Sequence, residues 1–188
     1  MVRIPDDVFI PPYDGRYHRK PKPKPKMATI EFLRKELLYD VKNYGYVEGD
    51  IMKAEEHDKH QVMDIGEDGN VDRVTRVLNT AFSEVVEFCY PYSKTPAEDG
   101  STLDDTLTEP EKYELRLTLP HDFSQTSLHL LRDQIHEYLV CTAVADWMSI
   151  TKPDSQANWE SKAVKAEEKV KSLLHGRIGR TRRKLNPF

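Results

Sequence analysis

The stretch SQTSLHLLRDQIHEYLVCTAVADWMSIT, residues 124–151, decides the fold of this chain. In its first half, apolar residues recur at the three- and four-residue spacing of an amphipathic helix. From Tyr138 onward they almost encircle the helix, so neighbouring elements must cover it on several sides. Acidic residues and a histidine interrupt any run of about 18 apolar residues, which argues against a membrane span. The stretch therefore predicts a buried helix roughly 40 Å long at the centre of a small helical bundle.

Three further apolar stripes predict the helices that cover this central one. One helix begins after Thr29 and stops at Gly45, one follows Asn70 and ends near Tyr90, and one is capped by Asp154 and ends at residues 175–176. The predicted core draws on all four helices: Leu33, Leu37, Val41, Leu78, Phe82, Val85, Leu131, Ile135, Leu139, Trp147 and Val170. The predicted fold class is therefore mainly α.

Residues 112–119, KYELRLTL, alternate polar and apolar side chains, which predicts a β-strand. A single strand cannot satisfy its own backbone hydrogen bonds, so a partner strand is required. The pattern leaves three places open for that partner: residues 46–66, residues 1–12, or a neighbouring subunit. The predicted fold accordingly contains one short strand or hairpin.

Composition divides the chain into a helical domain and two extended arms. Residues 1–28 form a Pro/Lys-rich arm in which Lys20 to Lys26 alternate with prolines, a pattern that favours extended polyproline II. Residues 29–175 form the helical domain, including an acidic loop at 93–111 and the strand. Residues 176–188, GRIGRTRRKLNPF, form a basic C-terminal arm.

The net charge of -4 conceals a strong asymmetry along the chain. Residues 1–26 hold seven Lys and Arg against three Asp, and residues 176–188 hold five cations and no acid. Residues 27–175 keep the other 16 of 28 cations and 29 of 32 acids, a net charge of -13. An acidic body with two basic arms indicates that the arms bind partners.

The sequence predicts no catalytic, metal or cofactor site. Residues 64–70 resemble a calcium loop but lack two of its ligands, so we expect a polar turn. His57 and His60 have no third ligand at a recognisable spacing. His136 is expected to be partly buried and hydrogen-bonded within the bundle, and both cysteines to be buried thiols. No glycine-rich phosphate loop or nucleophile elbow is present, so nothing indicates an enzyme.

The two arms are the strongest functional feature of the sequence. Their candidate partner-binding residues are Lys20, Lys22, Lys24, Lys26, Arg177, Arg180, Arg182, Arg183, Lys184, Leu185 and Phe188. The cations suit an acidic protein groove or the phosphates of a nucleic acid, and a merely solvated tail is the third possibility. Apolar residues at the end of a basic tail favour the protein groove, because a solubilising tail has little need of them.

The order of these parts resembles tailed-bacteriophage head-to-tail connector (adaptor) proteins. The resemblance covers residues 29–188 and rests on the helix layout, the buried helix with HEYLVCTAVADWMSI, and the Arg-rich exit tail. The chain is also similar to proteins from phages of gut Bacteroides-type hosts that end in GRxRRxLxPF tails. The proline-rich leader and the acidic loop make it longer than a minimal connector.

The resemblance implies a structural virion protein at the head-tail junction, made in the host cytoplasm. It implies a homo-oligomeric ring, commonly of twelve subunits, that docks beneath the portal protein and extends the DNA channel. Portal and tail proteins would be its partners, with packaged DNA as a further candidate and no membrane. The alternative function is a nucleic-acid-binding accessory protein that uses its basic arms as a clamp.

Overall fold

The computed structural model of the protein describes residues 24–53, 58–90, 92–96, 100 and 103–175. The chain forms β1 (Lys26–Leu33), α1 (Arg34–Ile51), α2 (Lys59–Met63), a 3-10 turn (Asp64–Gly66), α3 (Asp68–Phe88), β2 (Lys112–Leu119), α4 (Gln125–Thr151) and α5 (Pro153–His175). The described domain is therefore a helical bundle with one two-stranded antiparallel sheet, which confirms the predicted fold class. Most of the two predicted arms, residues 1–23 and 176–188, lies outside the described residues.

Helix α4 is the central element, as its sequence predicts. Ser124 precedes it in extended conformation, and the second half of the helix is buried on almost every side. Helix α5 packs along α4, and α1, α2 and α3 also contact α4. Trp147, near the end of α4, donates its indole N–H to the Val62 carbonyl oxygen at 3.2 Å, so its one polar atom is satisfied inside the core.

The strand predicted at residues 112–119 is confirmed as β2, but its partner was not foreseen. Strand β1 pairs with it antiparallel, with Met27 opposite Thr118 and Phe32 opposite Tyr113. The prediction that a helix begins after Thr29 is therefore wrong, and the arm predicted to end at residue 28 gives way to the sheet at Lys26. Alternating burial along β1 shows why, since a strand buries every second residue.

The predicted core is confirmed except at two positions. Leu33 is 47% exposed, because it ends β1 and precedes the first residue of α1 instead of lying on a helical stripe. Phe82 is only partly buried, and its ring lies 5.1 Å from that of Tyr113 on β2. The other nine predicted residues are all buried.

The sequence predicted that the first helix stops at Gly45, but Gly45 lies within α1. There it permits a close contact with another segment of the chain. Helix α1 continues to Ile51, and the segment after it folds back onto the glycine. A Cβ atom at Gly45 would lie 2.5 Å from Cγ2 of Ile65 and 3.2 Å from the Val62 carbonyl oxygen. Ile65 is itself buried and has little room to move. The missing side chain therefore lets α2 and the 3-10 turn pack against α1.

Gly45→Ala is expected to destabilise the domain by about 1 kcal/mol. Overpacking costs about 1–3 kcal/mol and outweighs the gain of up to about 1 kcal/mol from replacing glycine within a helix. Gly69→Ala in α3 is the matched control, because nothing lies within 4 Å of the added Cβ. Thermal unfolding should show a lower Tm for the first variant and an equal or higher Tm for the second. Equal Tm values for both variants would contradict the close contact.

Candidate interaction surfaces

The cysteines are part of the packed interior. Cys89 and Cys141 are free and buried, on α3's C-terminal cap and on α4. Burial raises the pKa of each thiol to about 12, with the Glu137 carboxylate adding to the effect at Cys141. Both thiols are therefore protonated at neutral pH and are poor nucleophiles.

The calcium-like stretch, residues 64–70, forms a polar turn in its first part and the beginning of α3 in its last three residues. Asp64–Gly66 is a 3-10 turn, and Asn70 donates its side-chain amide to the Asp64 carbonyl oxygen at 2.8 Å. Asn70 thus lies inside α3 and ties it to the turn, whereas the sequence predicted that the helix begins after Asn70. Among the described residues, no group of three or more His, Cys, Asp or Glu side chains is arranged to hold a metal ion.

His136 is partly buried and hydrogen-bonded within the bundle, which confirms its prediction. Its Nε2 atom lies 2.7 Å from the Asp40 carboxylate, so the pair joins α4 to α1. The Phe32 ring of β1 lies 6.4 Å from the imidazole. The histidine therefore holds the sheet, α1 and α4 together at this corner of the domain.

A second polar cluster, around Glu48, joins α1 to the junction of α4 and α5. Its carboxylate accepts hydrogen bonds from Lys152 at 2.8 Å and from Ser155 and Trp159 at 3.1 Å each. Burial alone would raise the pKa of Glu48, but these three donors outweigh it and hold the pKa below the ordinary 4.5. The stabilisation is therefore fully present above about pH 4.5 and is lost as the pH falls through the folded pKa.

Tyr92 places both chain exits at one end of the domain. Its carbonyl oxygen accepts the Thr118 backbone N–H at 2.8 Å, and its hydroxyl donates to the Leu174 carbonyl oxygen at 3.4 Å. Thr118 lies opposite Met27 at the start of β1, and Leu174 belongs to the last turn of α5. Tyr92 thus links β2, at the residue opposite the start of β1, to the last turn of α5, so the chain enters β1 and leaves α5 at the same end of the domain.

The structure places only two of the predicted partner-binding residues. Lys24 and Lys26 are exposed, and Lys26 begins β1 opposite Leu119. The remaining predicted residues lie outside the described part of the chain: Lys20, Lys22, Arg177, Arg180, Arg182, Arg183, Lys184, Leu185 and Phe188. Their binding role therefore stays a prediction.

An exposed apolar patch on α1 was missed by the sequence reasoning. The patch consists of Tyr39, Tyr46, Val47 and Ile51, which are 70%, 56%, 47% and 73% exposed. They lie opposite the buried stripe of the helix, where a surface helix usually carries polar residues. The seven-residue spacing of the two tyrosines, which places them on one side of a helix, was the available signal. These exposed aromatic and aliphatic side chains, with exposed Asn43 and Asp50 between them on the same side of α1, make the patch a candidate interaction surface.

A second missed surface is the outer edge of β1. The Thr118 N–H points away from β1 towards Tyr92, and the Arg34 N–H bonds to the Glu111 carbonyl oxygen in the same register. Because inward and outward bonding alternate along an antiparallel pair, the even-numbered residues of β1 bond to β2 and the odd-numbered ones face outward. Within the described residues, the backbone groups of Thr29 and Glu31 accordingly have no backbone partner.

None of the described helices is both long and apolar enough to cross a membrane. Comparison with protein-family models, with curated proteins and with solved structures gives no match for this chain. The features available for functional inference are therefore the shared exit of the two arms, the apolar α1 patch and the outer edge of β1.

Proposed function

We propose that this chain is a structural virion protein whose copies form a ring that joins the capsid portal to the tail and extends the DNA channel. The observation that carries the proposal is the common exit of the two arms beside Tyr92. Two cationic segments that leave one end of a rigid domain can both bind the subunits that adjoin that end. Tethering in this way raises the effective concentration of the second contact once the first has formed.

The charge distribution supports the same function. Residues 27–175 carry a net charge of -13, while the arms are basic. A channel lined by an acidic body repels DNA phosphates and lets the duplex pass without binding, while the basic arms are free to bind protein. Segregation of charge between body and arms therefore suits a DNA conduit.

The α1 patch supplies the kind of surface that subunit contacts bury. Its two tyrosines and two aliphatic side chains are exposed in the single chain. Aromatic residues are enriched at the cores of protein interfaces, where they contribute large apolar areas. A ring that covers the patch explains why the domain carries it on a helix whose opposite face is well packed.

The second candidate is a nucleic-acid clamp, which the cationic arms at one end of the domain favour. Salt dependence separates the two functions. A clamp in which the five cations of residues 177–184 each neutralise a phosphate would lose on the order of several hundred-fold in DNA affinity between 50 and 200 mM salt. Docking on a portal protein through apolar anchors should weaken far less over that range.

The test measures binding of the full chain to a candidate portal protein and to duplex DNA across this salt range. We expect portal binding that persists at 200 mM salt and is tighter than DNA binding. Tight, steeply salt-dependent DNA binding without portal binding would instead identify the clamp.

A further inference from the structure

The outer edge of β1 carries backbone groups that have no backbone partner among the described residues. Thr29 and Glu31 direct their backbone N–H and C=O groups away from β2, and both residues are exposed. An open edge of this kind readily pairs with an extended segment, because the added strand satisfies every outward group. Proteins commonly block such edges with proline or a bulge, but the described strand carries neither at Thr29 or Glu31.

A groove beside this edge has the shape and chemistry to take the side chains of an added strand. It encloses about 370 Å³ between β1 and the first half of α4. Leu128 gives it an apolar wall, and its polar margins carry His129, the Arg132 guanidinium, which is paired with Asp133, and the Glu31 carboxylate, which is paired with Lys112. Lys26 adds a further exposed cation at the start of the strand. The occupant should therefore be extended, apolar at alternate positions and acidic at one end.

Residues 6–10, DDVFI, match these requirements within the same chain. Val8, Phe9 and Ile10 favour extended structure, and Asp6 and Asp7 complement the cations beside the groove. Prolines precede and follow the segment, so it offers five consecutive residues with backbone N–H groups between them. The segment therefore has the length of a short strand.

We propose that residues 6–10 of a neighbouring copy add to the outer edge of β1 as a third strand. Val8 and Ile10 then face the groove against Leu128, because alternate residues of a strand share a face. The choice of a neighbouring copy rests on the proposed ring, and on the prolines at residues 21, 23 and 25, which restrict a reversal just before β1. Each subunit would thus hold the next through its N-terminal arm.

Amide hydrogen exchange in the full chain tests the proposal. The outward amides of β1 report on strand addition, and its inward amides, which bond to β2, serve as the reference. The Ile30 and Phe32 amides bond to β2 and should exchange slowly in every state. The Thr29 and Glu31 amides face outward and should exchange at least about tenfold more slowly in the assembled protein than in the dilute monomer.

Two pairs of substitutions locate the donor and the acceptor. The double substitution Val8→Pro with Phe9→Pro removes one N–H group from each edge of the donor strand. It should therefore abolish the slower exchange of the Thr29 and Glu31 amides in the assembled protein. The same two-proline change at Arg16 and Tyr17 is the matched control and should leave the slowing intact. On the acceptor, Thr29→Pro removes only an outward N–H and should weaken assembly, whereas Thr29→Val should not.

Each other outcome overturns a defined part of the proposal. Rapid exchange of the outward amides in an assembled ring would refute strand addition and leave the ring function standing. If the Thr29 and Glu31 amides exchange slowly even in the monomer, and do so independently of protein concentration, residues 6–10 of the same chain occupy the edge. That result would refute the neighbouring copy as donor. Failure of the unmodified chain to assemble, even with a portal protein, would refute the ring and this contact together.

Discussion

Trp147→Ala is expected to lower the free energy of unfolding by about 3–5 kcal/mol. Trp147 is only 8% exposed and lies where α2 meets the encircled half of α4. Truncation leaves a cavity that a well-packed core closes only in part. It also leaves the Val62 carbonyl oxygen, now bonded to the indole at 3.2 Å, without its donor.

Chemical denaturation of the variant and of the unmodified chain measures this loss. Ile150→Ala is the matched control, because Ile150 lies one turn further along α4 but is 57% exposed. The control should cost less than about 1 kcal/mol. A loss below about 1 kcal/mol for Trp147→Ala would show that α4 is not the centre of the fold.

Deletion of residues 177–188 is expected to abolish docking on the portal while the domain stays folded. The described helix α5 ends at His175, and its last buried residues, Val170 and Leu174, remain in the truncated chain. Circular dichroism and thermal unfolding should therefore resemble those of the full chain. Portal binding, measured by sedimentation or co-purification, should be lost.

The apolar end of the arm should matter more than its charges. An exposed ion pair contributes only about 0.2–1 kcal/mol, whereas a fully buried Leu or Phe contributes about 1.5–3 kcal/mol. Leu185→Ala with Phe188→Ala should therefore weaken docking by more than Arg182→Gln with Arg183→Gln. If the truncated protein still docks normally and loses only DNA or RNA affinity, the clamp is correct and the connector is not.

The elements that the sequence predicts best are those with long, uniform patterns. The apolar stripe of α4 runs along the first half of a 27-residue helix and encircles the second half, and β2 alternates over its whole length. In contrast, Ile30 and Phe32 fit a strand, but Ile30 with Leu33 and Leu37 also fits a helix. The strand forms because residues 26–33 pair with β2. The local sequence could not predict that pairing, which depends on a segment about 80 residues away.

The same distinction holds for the interaction surfaces: those defined by composition could be predicted from the sequence, and those defined by contacts between distant residues could not. The basic arms are visible from composition alone, because charge and proline content need no fold. The outer edge of β1 depends on which residues bond to β2, so it emerged only from the register. The hydrogen bond from Tyr92 to Leu174, on which the common exit rests, joins residues 82 positions apart in the chain, so no local pattern could predict it.

Native mass spectrometry of the full chain, alone and mixed with a candidate portal protein, tests the ring most directly. We predict one closed assembly that binds the portal. Twelve copies of the 21.8 kDa chain would give a mass of about 260 kDa before the portal is added. A chain that stays monomeric in both samples, with no mass corresponding to a portal complex, would contradict the proposed function.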